Sequence, residues 1–215
     1  MKPAARVELF ERLAALNPNP TTELEFRNPF ELLIAVILSA QCTDDRVNLI
    51  TPTLFDRFPT PKALADSSQE EVEQIIFSTG FYRNKAKNIR AACKTIVEKH
   101  GGEVPRTLAT LIELPGVARK TANVVLGTAY GIASGVVVDT HIGRLSRRLD
   151  MTREDDPEKV EQDLMTLWPE DRWIMSGHRL IWHGRRVCYA RKPNCGGCEL
   201  AALCPSAEVA AEART

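Results

Sequence analysis

Four cysteines near the end of the chain carry the densest chemical signal. Cys188, Cys195, Cys198 and Cys204 stand as C-x6-C-x2-C-x5-C, four of the six cysteines inside seventeen residues. In a chain that opens without an apolar secretory core, such density reads as a metal site rather than a disulfide framework. Structural zinc usually joins two close pairs across a longer spacer, whereas this is one compact loop with a single C-x2-C. Four thiolates so arranged suit an iron-sulfur cluster better than zinc. A 4Fe-4S core inside four thiolates leaves a net charge of about −2. Arg185, Arg186, Arg191 and Lys192 flank the loop and have that local anion to offset. They are equally available to an external one. Cys42 and Cys93 lie outside the loop and read as small core side chains.

A second constellation is Leu114-Pro115-Gly116-Val117-Ala118-Arg119-Lys120-Thr121-Ala122. A helix ending near Glu113 must turn within very few residues into the helix that carries Val125 and Leu126. Gly116 permits the tight turn and the close approach of another backbone. The first amides of the second helix have no intrahelical partner, and such a terminus binds a phosphate without reading a base. By itself a Leu-Pro-Gly turn is usually a connector. Here Lys120 sits in the first helical turn, and Asp139 follows nineteen residues later within Val138-Asp139-Thr140-His141. Asp139 has a local role as N-cap of a helix starting near Thr140.

The elements that position these residues are helical almost throughout. Asn28-Pro29-Phe30-Glu31 supplies an N-cap, a proline at the first helical position and an acid at the third, leading into an apolar run that marks a central helix. Thr43-Asp44-Asp45 and Ser68-Gln69-Glu70-Glu71 repeat the logic. From Tyr82 to His100, apolar Ile89, Ala92, Cys93, Ile96 and Val97 recur at helical spacing, with Arg83, Lys87, Arg90 and Lys94 opposite and Gly101-Gly102 as the stop. Further helices are expected near 122–129, 141–149, 157–168 and 171–184. Val136-Val137-Val138 alone suggests a strand, too short to build a sheet. The fold class is all-α, with roughly ten short helices.

Two hundred and fifteen residues allow one large or two small domains, and 44% hydrophobic with 26% charged residues describes a globular chain. The longest apolar run, Leu32 to Leu38, is far short of the roughly 20 residues that span a bilayer. With Glu8 and Glu11 near its start the chain lacks the look of a targeting peptide, so a cytoplasmic, nucleoid-associated protein is expected. The formal net charge is zero, yet it sums opposed blocks. Residues 74–97 carry five basic side chains and no acid, residues 172–195 carry six and no acid, and residues 150–171 carry nine acids. The basic blocks are either solvated faces or surfaces for an anion.

The hairpin run, Val138 to His141, Ser39-Ala40-Gln41-Cys42-Thr43-Asp44 and the cysteine loop together resemble the endonuclease III family of the helix-hairpin-helix DNA glycosylase superfamily, from about Leu9 to Cys204. The resemblance implies two helical domains with a DNA-binding cleft between them. One is contiguous over 22–133 and contains the hairpin; the other joins 1–21 to 134–215 and contains the cluster loop, 188–204. It implies a 4Fe-4S cofactor on the four cysteines. It implies a monomer acting on double-stranded DNA, removing oxidised or ring-damaged pyrimidines and cleaving abasic sites.

The resemblance assigns catalysis to Lys120 and Asp139. The chemistry agrees: an amine must attack the sugar, and an ordinary lysine, with a pKa of about 10.4, is protonated and inert. The positive field of a helix N-terminus favours the free amine, and enclosure by DNA adds desolvation. A phosphate contact is the alternative role for Lys120. Asp139 would accept a proton or stabilise cationic sugar while still capping its helix. A damaged base must leave the stack, and the family places Gln41 and the residue at Phe81 in the gap. Gly116, Ala118, Arg119, His141, Arg186, Arg191 and Lys192 complete the expected DNA contacts. Ala118 stands where the family usually has a second glycine, and Gly143 where some relatives carry a larger side chain. A non-catalytic cluster protein would explain the hairpin and the loop but leave Lys120 and Asp139 without a role.

Overall fold

The computed structural model describes residues 3–207, which form helices, short 3-10 turns and connecting loops with no strand among them. Contacts divide the chain into two compact units: one covers Thr22–Ser134, and the other joins the segment up to Thr21 to the chain from Gly135 onward. No described helix is long and apolar enough to cross a membrane.

The contiguous unit contains α2 (Pro29–Leu38), α3 (Asp44–Arg57), α4 (Pro61–Ala65), α5 (Gln69–Ile76), α6 (Tyr82–His100), α7 (Leu108–Leu111) and α8 (Arg119–Tyr130). The apolar run becomes α2, nearly every residue of which is buried, and it packs against α3, α6 and α8. Its start is set locally: the Asn28 side chain accepts from the Glu31 amide at 3.0 Å. Thr43 and Ser68 cap α3 and α5 in the same way, Ser68 within a reciprocal capping box with Glu71. Gly101 ends α6 in the left-handed conformation. On α6 the expected apolar stripe is buried apart from Val97, which is half-buried, but the basic block is not all outward. Lys85 is only 6% exposed, and Arg90 turns back to bond the Ser67 carbonyl at 2.6 Å. Their long apolar stems lie in the interior while the charged ends meet backbone carbonyls, so these two cations hold the fold rather than a solvated face.

The second unit is built from α1, which covers Pro3–Leu16, with α9 (Thr140–Arg148), α10 (Pro157–Leu167) and α11 (Trp173–Arg186), followed by the cysteine loop. Leu9 and Leu13 of α1 are fully buried with Ile142, Val160, Leu164 and Leu180. Phe10 meets Trp168 edge to face at 5.3 Å between centroids. The segment at Val136–Val138 forms no strand: with no second strand to bond, Val136 simply inserts into this core.

Candidate functional site

Gly116 adopts φ 79°, and a β-carbon there would lie 2.9 Å from the Asn88 β-carbon of α6. The tight turn and the close approach are therefore both real, although the close neighbour is a side chain rather than another backbone. Ala118 follows as the first residue of the α8 boundary with φ −83°, a backbone that alanine adopts without strain, and no side chain caps the helix. By contrast α2, α3, α4, α5, α7, α9 and α10 each begin with an oxygen side chain on a first-turn amide. The N-terminus of α8 is thus left open by its sequence, and Arg119 and Lys120 lie exposed in its first turn. Such a terminus combines outward amides, the positive end of the helix dipole and an amine.

In the same unit, Gln41 and Phe81 are exposed at the ends of two turns, and both are left-handed, with φ 55° and 47°. Non-glycine residues there cost about 1–3 kcal/mol each and cluster at functional sites. Lys192, in the other unit, shares the conformation at φ 52°.

Asp139 is half-buried at the start of α9, where its Oδ1 accepts the Ile142 amide at 2.8 Å. His141 follows it in a setting the sequence did not suggest: Arg144 Nη2 stands 3.2 Å from its Nδ1, and its β-carbon lies close beneath Gly184 of α11. Arg186 lays its guanidinium over the Trp182 ring at 3.8 Å, while Arg191 and Lys192 are exposed.

The four loop cysteines, none of them in a disulfide, line one cavity with Leu145, Leu149, His183, Val187 and Leu200. Among the described residues, no three His, Cys, Asp or Glu side chains draw in around a single ion. The thiols instead surround a common space, which suits a multi-atom cluster with four thiolate corners. Burial pushes the Cys198 and Cys204 thiols up, and the charge of the neighbouring cysteines adds to it. A cationic core favours the thiolate form and so offsets that rise, and four sulfurs around one space are the donor set such a group requires.

The residues that hold this loop escaped the sequence reading. Arg148 Nη1 bonds the Tyr189 carbonyl at 2.8 Å and reaches Cys188 Sγ at 3.1 Å; its Nη2 bonds the Ala190 carbonyl. Arg144 Nη2 bonds the carbonyls of Gly184 and Cys188, and Arg12 of α1 bonds that of Glu199 at 2.8 Å. The Arg144 and Arg148 pair, four apart on α9, was the available signal.

Residues 34–170 match the model of the HhH-GPD superfamily base excision DNA repair protein, and residues 188–204 match the iron-sulfur binding domain of endonuclease III. An endonuclease III of Synechocystis sp. is 55% identical over 94% of this chain and 92% of its own length. That of Escherichia coli K12 is 47% identical over 95% and 96%. The chain belongs to the endonuclease III family. Two solved structures of the family match it over nearly all of both chains at 44% identity. One is a non-covalent endonuclease III–DNA complex, with a TM-score of 0.93 and 100% of each chain covered. The other is a trapped endonuclease III–DNA covalent intermediate, with a TM-score of 0.92 and coverage of 97% and 98%. The cofactor of the family's cysteine loop is a 4Fe-4S cluster.

Proposed function

We propose that this protein is a base-excision repair glycosylase that removes oxidised or ring-damaged pyrimidines from double-stranded DNA and cleaves the abasic site through Lys120. The observation that carries the reading is an exposed lysine in the first turn of an uncapped helix, directly after the Gly116 turn. The likeness to a trapped covalent intermediate supports a covalent route. The neutral amine of Lys120 attacks the sugar C1′; the bond to the base breaks, and the base departs with a proton. The sugar ring then opens as the C1′–O4′ bond breaks, O4′ taking up a proton while the nitrogen lone pair completes the C=N bond. The resulting imine acidifies C2′, and loss of that proton expels the 3′ phosphate. The carboxylate of Asp139 takes up the proton or offsets the cationic sugar, while its Oδ1 continues to start α9. The amides and Arg119 at the head of α8 hold a phosphate, and Arg186, Arg191 and Lys192 hold others. Gln41 and Phe81 fill the space of the flipped nucleotide.

Cys188, Cys195, Cys198 and Cys204 would hold the 4Fe-4S cluster, which ties the basic loop into one rigid piece. With every corner taken by cysteine, no position is left for substrate, so the role is structural. The enzyme acts as a monomer in the cytoplasm, at the nucleoid. Strand cleavage on duplexes carrying thymine glycol, uracil, an abasic site, 8-oxoguanine or a cyclobutane dimer tests the substrate class. Cleavage at thymine glycol and the abasic site is expected; preference for 8-oxoguanine or the dimer would overturn the pyrimidine-damage reading.

A further inference from the structure

Lys85 lies within the α6 segment that the sequence marks as basic, yet it is buried, and its ammonium is held by two backbone carbonyls rather than by a carboxylate. Its Nζ bonds the Leu38 carbonyl and the Thr79 carbonyl, each at 2.8 Å. Leu38 is the last residue of α2, and Thr79 is the last residue of the 3-10 turn Phe77–Thr79. Both carbonyls belong to helix ends, where the backbone has unsatisfied acceptors and the dipole favours a cation. Three residues beyond Leu38 stands Gln41, and two beyond Thr79 stands Phe81, both exposed and both left-handed. The Phe81 carbonyl in turn accepts the Lys85 amide at 3.1 Å. One side chain therefore joins the roots of two strained, outward-pointing turns that are 40 residues apart in sequence. Burial lowers the pKa of Lys85 from its ordinary value, and the nearby Cys42 thiol opposes that. A buried charge is retained where its hydrogen bonds compensate for lost water, which these two carbonyls do.

We propose that Lys85 is a positioning residue: its two bonds fix the backbones of Gln41 and Phe81 relative to each other, so that both side chains enter the DNA stack as one preset wedge. The proposal rests on the reading that these two residues fill the gap. A methionine at 85 keeps the apolar stem but can satisfy neither carbonyl, so the turns would move independently and the wedge would have to be ordered on each encounter. Placement of the two tips then limits base flipping, while phosphate contacts made elsewhere hold affinity constant.

The test uses the cluster-loaded protein and a duplex with 2-aminopurine beside thymine glycol, whose fluorescence rises when the stack opens. Lys85→Met is expected to cut the opening signal and kcat at least tenfold, to leave KM and undamaged-duplex affinity within threefold, and to retain helical circular dichroism and visible cluster absorbance. Lys85→Arg, which keeps the donors, is expected to recover part of both losses. Full opening and full kcat in Lys85→Met would overturn the proposal, as would equal losses in kcat and in undamaged-duplex affinity. Gln41→Ala with Phe81→Ala separates the two readings. Loss of opening in that double variant but not in Lys85→Met refutes only the role of Lys85; an undiminished signal in the double variant refutes the wedge itself. Should Lys85→Met not fold, Lys85→Gln, which is shorter and uncharged, decides by the same measurements.

Discussion

The carboxylate of Asp139 accepts the Ile142 amide and so starts α9 whatever else it does. Asparagine is an equally good N-cap, whereas alanine is not and costs roughly 1 kcal/mol. Asp139→Asn therefore keeps the helix start and removes only the charge. Turnover should fall by about 100-fold or more, with thermal unfolding unchanged; if Asp139→Asn instead keeps its turnover, the carboxylate is a cap and nothing else. Caps of this kind were legible in the sequence because they act within three residues, as at Asn28, Thr43 and Ser68. The inward turn of Lys85 and Arg90 was not legible, since the carbonyls they bond, at Leu38, Thr79 and Ser67, belong to other segments of the chain. Periodicity gives a face, not the destination of a long flexible side chain.

At the scale of elements, α9 does two things at once. Its first residues present Asp139 and His141, and its later turns hold the cysteine loop through Arg144 and Arg148. The four cysteines and their spacing announced a metal site, but nothing local told which helix would support it. Removing the Arg148 guanidinium leaves the carbonyls of Tyr189 and Ala190 without their donors. Arg148→Met should give protein that is helical and brown as purified but bleaches faster in air, and that binds DNA more weakly. Unchanged bleaching would mean that the loop stands without α9. The joining of α1 to the cluster unit was expected only from family resemblance. Leu9 and Leu13 are spaced for any apolar partner, and their burial with Leu164 and Leu180 brings together residues more than 150 apart. Leu13→Ala should cost about 2–5 kcal/mol by opening a cavity there, measured by chemical unfolding followed at the cluster absorbance.

For the molecule as a whole, zero net charge hides a division of labour. Several cations of the two basic blocks are spent on structure: Lys85 and Arg90 on carbonyls, and Arg179 on the Asn17 carbonyl. Others, including Lys87, Arg191 and Lys192, are exposed. The acids at 150–171 are partly engaged too, with Asp155 paired to Arg147 at 3.2 Å and its own side chain 90% exposed. Binding governed by phosphate neutralisation should make log affinity fall linearly with log salt, by about 0.9 per contact. Lys192→Gln should shallow that slope by about 0.9 on damaged and undamaged duplexes alike, and Asp155→Asn should leave it unchanged. A large loss confined to Asp155→Asn would place the DNA on the opposite face.

The central claim is that Lys120 forms a covalent bond with the sugar, and borohydride reduction of the imine during turnover reads that bond directly. The protein with thymine glycol duplex and borohydride is expected to give a stable adduct whose DNA-linked peptide contains Lys120. Lys120→Gln is expected to give none while still binding the duplex. An adduct of undiminished yield in Lys120→Gln, or one linked through another residue, would contradict the account.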